Sequence, residues 1–294
     1  MLHLVIPLSL ATLAALFAAG LGAGWLGAWI GIGGGTVLVP AFVLAFGFDP
    51  KVAVATSLLT VIATSTAAGS VYVGRGLSNT RLAMSLEIAT TIGGIVGGLL
   101  ALLLPSHVLA GIFGVVMGVT AISMLRWSKV KESGEFEPSD TPVEGTESPG
   151  TLAGTYYDEL RRGLVHYRPQ RLYAGSAIAM LAGAVSGLLG VGGGFLKVPA
   201  MNLGMDVPIK VAVATSNFMI GVTAAASVFV YFGRGFVHPL VVAPVVLGVV
   251  GGALLGTIHS GRASHALLKR VLAGVLVVVA IQMGLRAFGV NLGR

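Results

Sequence analysis

The sequence contains no cysteine and few charged residues. Without cysteine, disulfide bonds and thiolate metal sites are excluded. Charged residues make up 10% of the chain, against roughly 25% in a typical soluble domain. Acidic residues are scarcest: outside residues 126–171 the acids are Asp49, Glu87 and Asp206 alone. The six histidines show no metal-ligand spacing, so we expect no metal site and no cofactor.

Apolar residues dominate what remains. They make up 55% of the 294 residues, and several runs exceed the ~20 residues that a helix needs to cross ~30 Å of hydrocarbon. Backbone groups in lipid must be paired within the protein, so only helices or a closed barrel can span it. Long continuous runs indicate helices, whereas barrel strands alternate. The sequence predicts an all-α polytopic membrane protein with the lipid bilayer as its surroundings.

The net charge of +7 does not indicate a nucleic-acid partner. Residues 126–171 are nearly balanced, with seven basic and eight acidic side chains, so the excess lies on the membrane body. A positive bundle favours anions. The same excess is also typical of basic residues that flank membrane helices on the cytoplasmic side. The sequence leaves both interpretations open.

The chain consists of two related copies. Gly31-Ile-Gly-Gly-Gly-Thr-Val-Leu-Val-Pro40 recurs 159 residues later as Gly190-Val-Gly-Gly-Gly-Phe-Leu-Lys-Val-Pro199, and Lys51–Ser57 recurs as Lys210–Ser216. Between residues 31 and 76, 22 of 46 positions match their partners. The period is too long for a solenoid, so each copy is a whole set of helices. We divide the chain into a first membrane repeat (1–127), a linker (128–170) and a second membrane repeat (171–294).

Each copy is predicted to contain five apolar segments, the second of them short. The segments are 4–30, 36–48, 52–73, 82–104 and 108–125, then 172–189, 195–205, 211–232, 240–258 and 267–288. If the short segments cross, the chain has ten helices and the repeats are inverted. If they are re-entrant, eight helices form parallel repeats. We favour the inverted arrangement.

The linker is the one substantial polar stretch. Residues 131–150 are rich in Glu, Ser, Pro and Gly, which predicts disorder. Residues 155–167 mix Tyr, Leu and Arg, which predicts an amphipathic helix on the membrane surface. Basic residues in the linker favour a cytoplasmic location.

The glycine-rich loops are the first candidate site. They lack the preceding strand, or the following Lys-Ser/Thr, that nucleotide-binding loops require. Their backbone N–H groups are instead suited to an anion, as at unwound helices in transporters. Close helix packing is the alternative role of such glycines. The candidate residues are Gly33, Gly34, Gly35, Gly192, Gly193 and Gly194.

Polar residues one turn into the following helices form the second group. Uncharged donors suit an anion that must bind and then leave. The alternative is hydrogen bonding of these side chains to their own helix. The candidates are Thr56, Ser57, Thr215, Ser216 and Asn217, with Thr64 and Thr223 as weaker ones.

Four charged residues could attract the anion or couple its movement to another ion. Lys51 and Lys210 precede the polar helices, where interfacial anchoring is the alternative role. Glu87 is an intramembrane acid, a kind of residue that is usually functional, and its repeat partner is Val246. Glu87 could couple transport to protons or pair with a nearby arginine. The alternative is that it lies near the end of its helix, beside Arg81, without a role in transport. Lys197 replaces Leu38 of the first copy and could face the anion path.

The paired motifs resemble those of the TauE/SafE family of membrane permeases, the sulfite exporters. The residues that carry the resemblance are Gly31–Pro40 with Ala53–Ser57 and Gly190–Pro199 with Ala212–Ser216, and the match extends over nearly all of the membrane body. The resemblance implies a prokaryotic inner-membrane transporter of sulfite, organosulfonates or related anions. The long linker departs from that pattern.

The sequence therefore predicts a secondary transporter that moves a small sulfur-containing anion, in the direction of export, by alternating access around a site between the repeats. A membrane-embedded enzyme acting on a lipid or small anion is the alternative, and a non-transporting subunit is a third. We do not expect an enzyme, because only three acids lie outside the linker region. The sequence leaves a homodimer open.

Overall fold

The first copy folds into five consecutive helical elements. The structure is a computed structural model that describes residues 9–30, 33–127, 152–158, 163–259 and 265–287. The predicted disorder of 131–150, the first residues of the first helix, and Gly31 lie outside that part of the chain. The helices are α1 (Leu10–Ile30), α2 (Gly35–Pro40, continued by the π-helical Ala41–Ala45), α3 (Pro50–Gly74), α4 (Thr80–Leu103) and α5 (Ser106–Trp127).

The second copy repeats this order. Its helices are α6 (Leu172–Leu189), α7 (Gly194–Pro199, continued by the π-helical Ala200–Gly204), α8 (Ile209–Phe232), α9 (Pro239–His259) and α10 (His265–Ala287). Seven helices in the described residues are long and apolar enough to cross a membrane. The predicted all-α polytopic membrane architecture is confirmed.

The two short segments are half-length. Gly35–Ala45 as a helix is about 16 Å long, roughly half of the ~30 Å hydrocarbon layer. Pro40 and Pro199 stand where each α-helix passes into its π-helical turn. A proline lacks the N–H of the regular ladder, and a π-bulge accommodates such a break. Gly35 and Gly194, the first residues of the two short helices, are buried, so each short helix begins inside the bundle.

The amphipathic helix predicted for 155–167 is wrong. Two antiparallel strands occupy this region, β1 (Gly154–Asp158) and β2 (Gly163–Tyr167). Buried Tyr156, Val165 and Tyr167 alternate with more exposed neighbours, a period of two that suits a strand. Aromatic and β-branched residues also favour strands over helices. The hairpin docks on the bundle, where the Asn79 side chain donates to the Leu152 carbonyl (2.9 Å) and to the Tyr167 hydroxyl (3.1 Å).

The most extensive helix contacts join one copy to the other. Helix α1 packs on α9, α4 on α6, α3 on α8 and α5 on α10. Glycines make the first two pairs close: Gly248 and Gly252 lie against the Phe17 and Leu21 carbonyls, so α1 and α9 run parallel. The two sequence copies are therefore interleaved and do not form separate bodies.

Equivalent helices of the two copies run in opposite directions where they meet. Helices α5 and α10 are antiparallel, because residues later in α5 face residues earlier in α10. Gly111 faces Ala287, Gly114 faces Gly284 and Ala280, and Gly118 faces Ala280. Between α3 and α8, Gly221 faces Ser65 while Gly69 faces Phe218, which is the same antiparallel order. We call the end of the bundle on which the hairpin docks the hairpin end. It contains the last turn of α3 and the first turn of α8, and the opposite end contains the first turn of α3 and the last turn of α8.

Candidate functional site

Each glycine loop folds a helix end back into the bundle. Gly33 and Gly34 have φ of 83° and 71°, and Gly192 and Gly193 have φ of 81° and 68°. This left-handed region is accessible to glycine without the strain that a Cβ brings. All four residues are followed at once by the short helix α2 or α7. Glycine is thus required by the backbone here, in addition to any closeness of packing.

The two loops meet each other in the interior. A Cβ added at Gly35 would overlap the Gly190 carbonyl and lie 3.0 Å from the Val191 Cα. The Ser57 hydroxyl donates to the same Gly190 carbonyl at 2.7 Å, and this contact is buried. Gly190 in turn packs against Val54 of α3. The structure thus brings the first loop, the second loop and the Thr-Ser turn of α3 to one point between the copies.

The polar side chains of α3 and α8 are all buried. Thr56, Ser57, Thr215, Ser216 and Asn217 have essentially no exposed surface. The Thr56 hydroxyl has no hydrogen-bond partner within the described part of the chain, whereas its repeat counterpart Thr215 accepts from the Asn79 backbone N–H at 3.0 Å. The two copies therefore differ at this position. Thr215 is hydrogen-bonded to the loop that contains Asn79, beneath the hairpin, whereas Thr56 makes no such bond to the corresponding loop at His238.

Asn217 lies beside Ser65 of α3. Its amide group donates to the Val213 carbonyl at 3.2 Å, and its side-chain oxygen has no partner among the residues described. The Ser65 hydroxyl donates to the Asn217 backbone carbonyl and so joins α3 to α8. Ser65 was not among the residues singled out from the sequence, because its repeat partner is Ala224 and a lone serine carries little signal.

A tyrosine in each copy secures the end of the first helix. The Tyr72 hydroxyl donates to the Ala28 carbonyl at 3.1 Å, and the Tyr231 hydroxyl donates to the Gly187 carbonyl at 2.8 Å. These four residues occupy equivalent positions of the two copies. The bonds satisfy carbonyls that a helix end leaves unpaired, just before each glycine loop.

Two charged residues whose repeat counterparts are apolar come together in the interior. Lys197 of α7 is 2% exposed and Glu87 of α4 is 7% exposed. The Lys197 ammonium donates to the Thr223 hydroxyl at 3.0 Å, and that hydroxyl donates to Glu87 Oε1 at 2.7 Å. Glu87 thus has Lys197, by way of Thr223, as its charged neighbour, rather than the arginine considered from the sequence. Its position is interior, not the helix end near Arg81.

The other two lysines lie away from the loops. The Lys51 ammonium donates to the Leu102 carbonyl at 3.1 Å, at the carboxyl end of α4. Asp49 caps α3 by accepting from the Lys51 backbone N–H at 2.8 Å. Lys210 is half-buried in the first turn of α8. Both lysines stand at bundle ends, where anchoring and attraction of an anion are each physically reasonable.

The groups at the site are hydrogen-bond donors and acceptors together with one pair of charged side chains. No group of three His, Cys, Asp or Glu side chains that could hold a metal occurs in the ranges described. An open cleft of about 470 Å³, lined by residues that include Asp49, Ser106, His107 and Arg286, contains none of the predicted site residues. What converges at the centre is hydroxyl, amide and backbone groups, together with the lysine–glutamate pair.

Comparison with known proteins shows which proteins this chain is similar to. The family model described as "Sulfite exporter TauE/SafE" matches residues 16–283. The chain is 28% identical over 271 residues to the probable membrane transporter protein YunE of Bacillus subtilis (strain 168), covering 90% of this chain and 94% of the relative. It is 26% identical over 253 residues to a probable membrane transporter protein of Xylella fastidiosa (strain 9a5c), covering 85% and 86%. No solved structure gives a significant match.

These relatives and the multi-span helical fold indicate a multi-pass membrane transporter rather than an enzyme. The family match extends over most of the chain and includes both glycine loops and the central hydroxyl residues. The chain belongs to the TauE/SafE sulfite exporter family.

Proposed function

We propose that the protein is a secondary transporter for a small sulfur-containing anion, such as sulfite or a sulfonate, with its site where the two glycine loops meet. The observation that carries the proposal is the convergence of Gly35, Gly190 and Ser57 between the copies. Thr56, which precedes Ser57 in α3, has a buried hydroxyl without a partner among the described residues. A buried donor without a partner is costly, and a ligand that accepts its hydrogen removes that cost.

Neutral donors suit this cargo. A sulfonate or sulfite presents several acceptor oxygens, and hydroxyl and N–H groups donate hydrogen bonds to such oxygens. The amides of Gly192, Gly193 and Gly194 donate no hydrogen bond within the described residues, so they add to the donor set of Thr56, Ser57, Thr215, Ser216 and Asn217. Ser57 would exchange its bond to the Gly190 carbonyl for one to the anion.

The proposed mechanism is alternating access with inverted repeats. Its support is the antiparallel course of equivalent helices, α5 against α10 and α3 against α8. Because the copies are interleaved, the bodies that move would be mixed pairs such as α1 with α9 and α4 with α6, rather than the sequence halves. The bond of Thr215 to Asn79, without an equivalent at Thr56, fits a state closed on the hairpin end.

The proposed orientation places the hairpin end in the cytoplasm of a cell whose inner membrane holds the protein. Among the described helix ends and loops, Arg75, Arg81, Arg168, Arg171 and Lys210 lie at the hairpin end, and Lys51, Arg234 and Arg286 lie at the opposite end. Cytoplasmic loops carry the excess of Lys and Arg. Export is the direction suggested by the family's description, and a homodimer stays a prediction.

The test is anion exchange in liposomes that contain the purified protein. Radiolabelled sulfite, methanesulfonate, sulfoacetate, taurine and sulfate are compared with no pH gradient imposed. Thr56→Val keeps the shape of the side chain and removes the hydroxyl. A hydrogen bond to a charged group contributes about 1.5–3 kcal/mol. We therefore expect Thr56→Val to raise the anion concentration that half-saturates exchange about tenfold to a hundredfold.

Thr66→Val is the matched control, because Thr66 is on the same helix and faces outward with its hydroxyl bonded to the Ile62 carbonyl. It should exchange like the wild type. Exchange of none of these anions by the wild type would refute the proposed function. Chemical conversion of an anion or a lipid head group in the same vesicles would instead support the enzyme alternative.

A further inference from the structure

The buried Lys197–Thr223–Glu87 chain is a structural feature that anion binding by neutral donors does not explain. It crosses between the copies, since Glu87 is on α4 and the other two residues are on α7 and α8. Glu87 Oε1 also accepts from the Thr91 hydroxyl at 3.3 Å, whereas Glu87 Oε2 has no partner within the residues described. One oxygen of the carboxylate is therefore fully bonded and the other is not.

The fold does not need these charges. The position equivalent to Lys197 in the first copy is Leu38, and the position equivalent to Glu87 in the second copy is Val246. The equivalent of Thr223 is Thr64, which donates to its own helix at the Thr60 carbonyl (2.9 Å). Apolar side chains therefore occupy the repeat-equivalent positions of both charged residues. Buried ion pairs are often no more stabilising than apolar residues, and intramembrane charges are costly and functional as a rule.

Few other charged groups face the carboxylate. Lys197 is the one charged side chain that acts on Glu87 in the described structure, with hydroxyls of Thr90, Thr91 and Thr223 around it. Helix α6, which packs on α4, carries Tyr173 as its one titratable side chain, and Tyr173 is exposed. On α8 the titratable residues are Lys210 in the first turn and Tyr231, whose hydroxyl donates to Gly187. The charge balance of this region therefore depends on two residues.

We propose that Lys197 and Glu87 form a coupling site, in which a monovalent anion at Lys197 and a proton on Glu87 bind together. This inference rests on the proposed function and adds the coupling ion to it. An ammonium has three donors, and Thr223 accepts from one of them, which leaves two for an anion. The proton comes from water and goes to Glu87, and no other bond is made or broken.

Charge balance makes the two binding events cooperative. Lys197 and Glu87 are neutral as a pair, so an anion at Lys197 leaves one uncompensated negative charge in a low-dielectric interior. Protonation of Glu87 removes that charge. The reverse holds equally, because protonated Glu87 releases Lys197 to the anion. Proton and anion therefore move in the same direction, as an electroneutral symport whose direction follows the combined gradients.

The experiment measures accumulation of methanesulfonate in liposomes with an imposed pH gradient. A sulfonate stays monovalent across the assay range, so protons that move are attributable to the protein. In a one-to-one symport, the concentration ratios of proton and anion across the membrane balance at equilibrium. A difference of one pH unit therefore supports about a tenfold ratio of anion concentrations. We expect this accumulation from the wild type, with no response to a potassium diffusion potential and with proton uptake reported by trapped pyranine.

Glu87→Gln keeps the size of the side chain and removes its charge. It should lose the pH-driven accumulation and respond to the diffusion potential instead. Asp206→Asn is the matched control, because Asp206 is an exposed acid with a φ of 54° that asparagine tolerates. It should keep the tenfold accumulation.

The outcomes separate the two proposals. No exchange of methanesulfonate or sulfite by the wild type overturns the proposed function. Exchange with no pH-driven accumulation overturns the coupling alone, as does a tenfold accumulation that persists in Glu87→Gln. The pyranine signal is measured on the wild type, so the coupling stays testable if the variant does not fold.

Discussion

Substitution of Gly35 by alanine tests whether the meeting of the two glycine loops holds the site together. The new methyl group would overlap the Gly190 carbonyl, lie 2.8 Å from the Ser57 hydroxyl and lie 3.0 Å from the Val191 Cα. Two of these three neighbours are backbone, which cannot rotate away. The loops must therefore separate, and the Ser57 hydrogen bond to Gly190 must lengthen or break.

The cost follows from two contributions. Overpacking of a well-filled interior costs about 1–3 kcal/mol, and a buried carbonyl that loses its donor costs about 1–3 kcal/mol more. We therefore expect the free energy of unfolding to fall by about 2–6 kcal/mol, and the apparent melting temperature by about 3–10 °C. Because the loops supply donors to the anion, we also expect at least about tenfold slower sulfite exchange.

The assay follows tryptophan fluorescence during heating in detergent, with sulfite exchange measured on the same preparation. Gly22→Ala is the matched control, because a Cβ at Gly22 of α1 meets no atom within 4 Å and alanine favours a helix. It should melt at or above the wild-type temperature and exchange normally. Wild-type melting and exchange by Gly35→Ala would refute the close approach of the loops.

Two further predictions concern the buried charges and the hairpin. Lys197→Leu alone should lower the apparent melting temperature, since breaking a buried pair costs about 3–5 kcal/mol. Adding Glu87→Val should restore most of that loss. A double variant that loses as much stability as the two single variants added together would count against coupling of the two side chains. Burial raises the pKa of Tyr167 to about 12, against the lowering effect of its bond from Asn79. The docked hairpin then keeps a proton that the detached hairpin releases from about pH 10, so docking should weaken by about 2–3 kcal/mol as the pH rises from 10 to 12. Hydrogen exchange of β2 measures this, and constant protection through that range would contradict it.

The helices themselves were predictable because continuous apolar runs leave the backbone no alternative in lipid. The segment predicted at 172–189 matches α6, and those at 52–73 and 82–104 match α3 and α4 to within two residues. Proline and glycine marked the short helices correctly. The hairpin was missed because a short amphipathic stretch was interpreted by its composition, whereas the burial of Tyr156, Val165 and Tyr167 follows a period of two.

The candidate site was predictable in its residues but not in its contacts. Repetition pointed to the glycine loops and to the turns at Ser57 and Ser216, since chance does not preserve such runs twice. Nothing in the sequence places Ser57 on the Gly190 carbonyl, 133 residues away. Residues without a repeat counterpart, such as Ser65, carried no signal from the duplication.

The sequence alone determined the membrane class, the duplicated plan, the family motifs and the positions where the backbone must turn. Each of these depends on local composition or on spacing along the chain. The tertiary structure decided that the copies interleave, that their glycine loops touch, and that Lys197 reaches Glu87 through Thr223. These depend on which faces of distant helices meet, and in an apolar bundle small residues that permit close approach determine that choice.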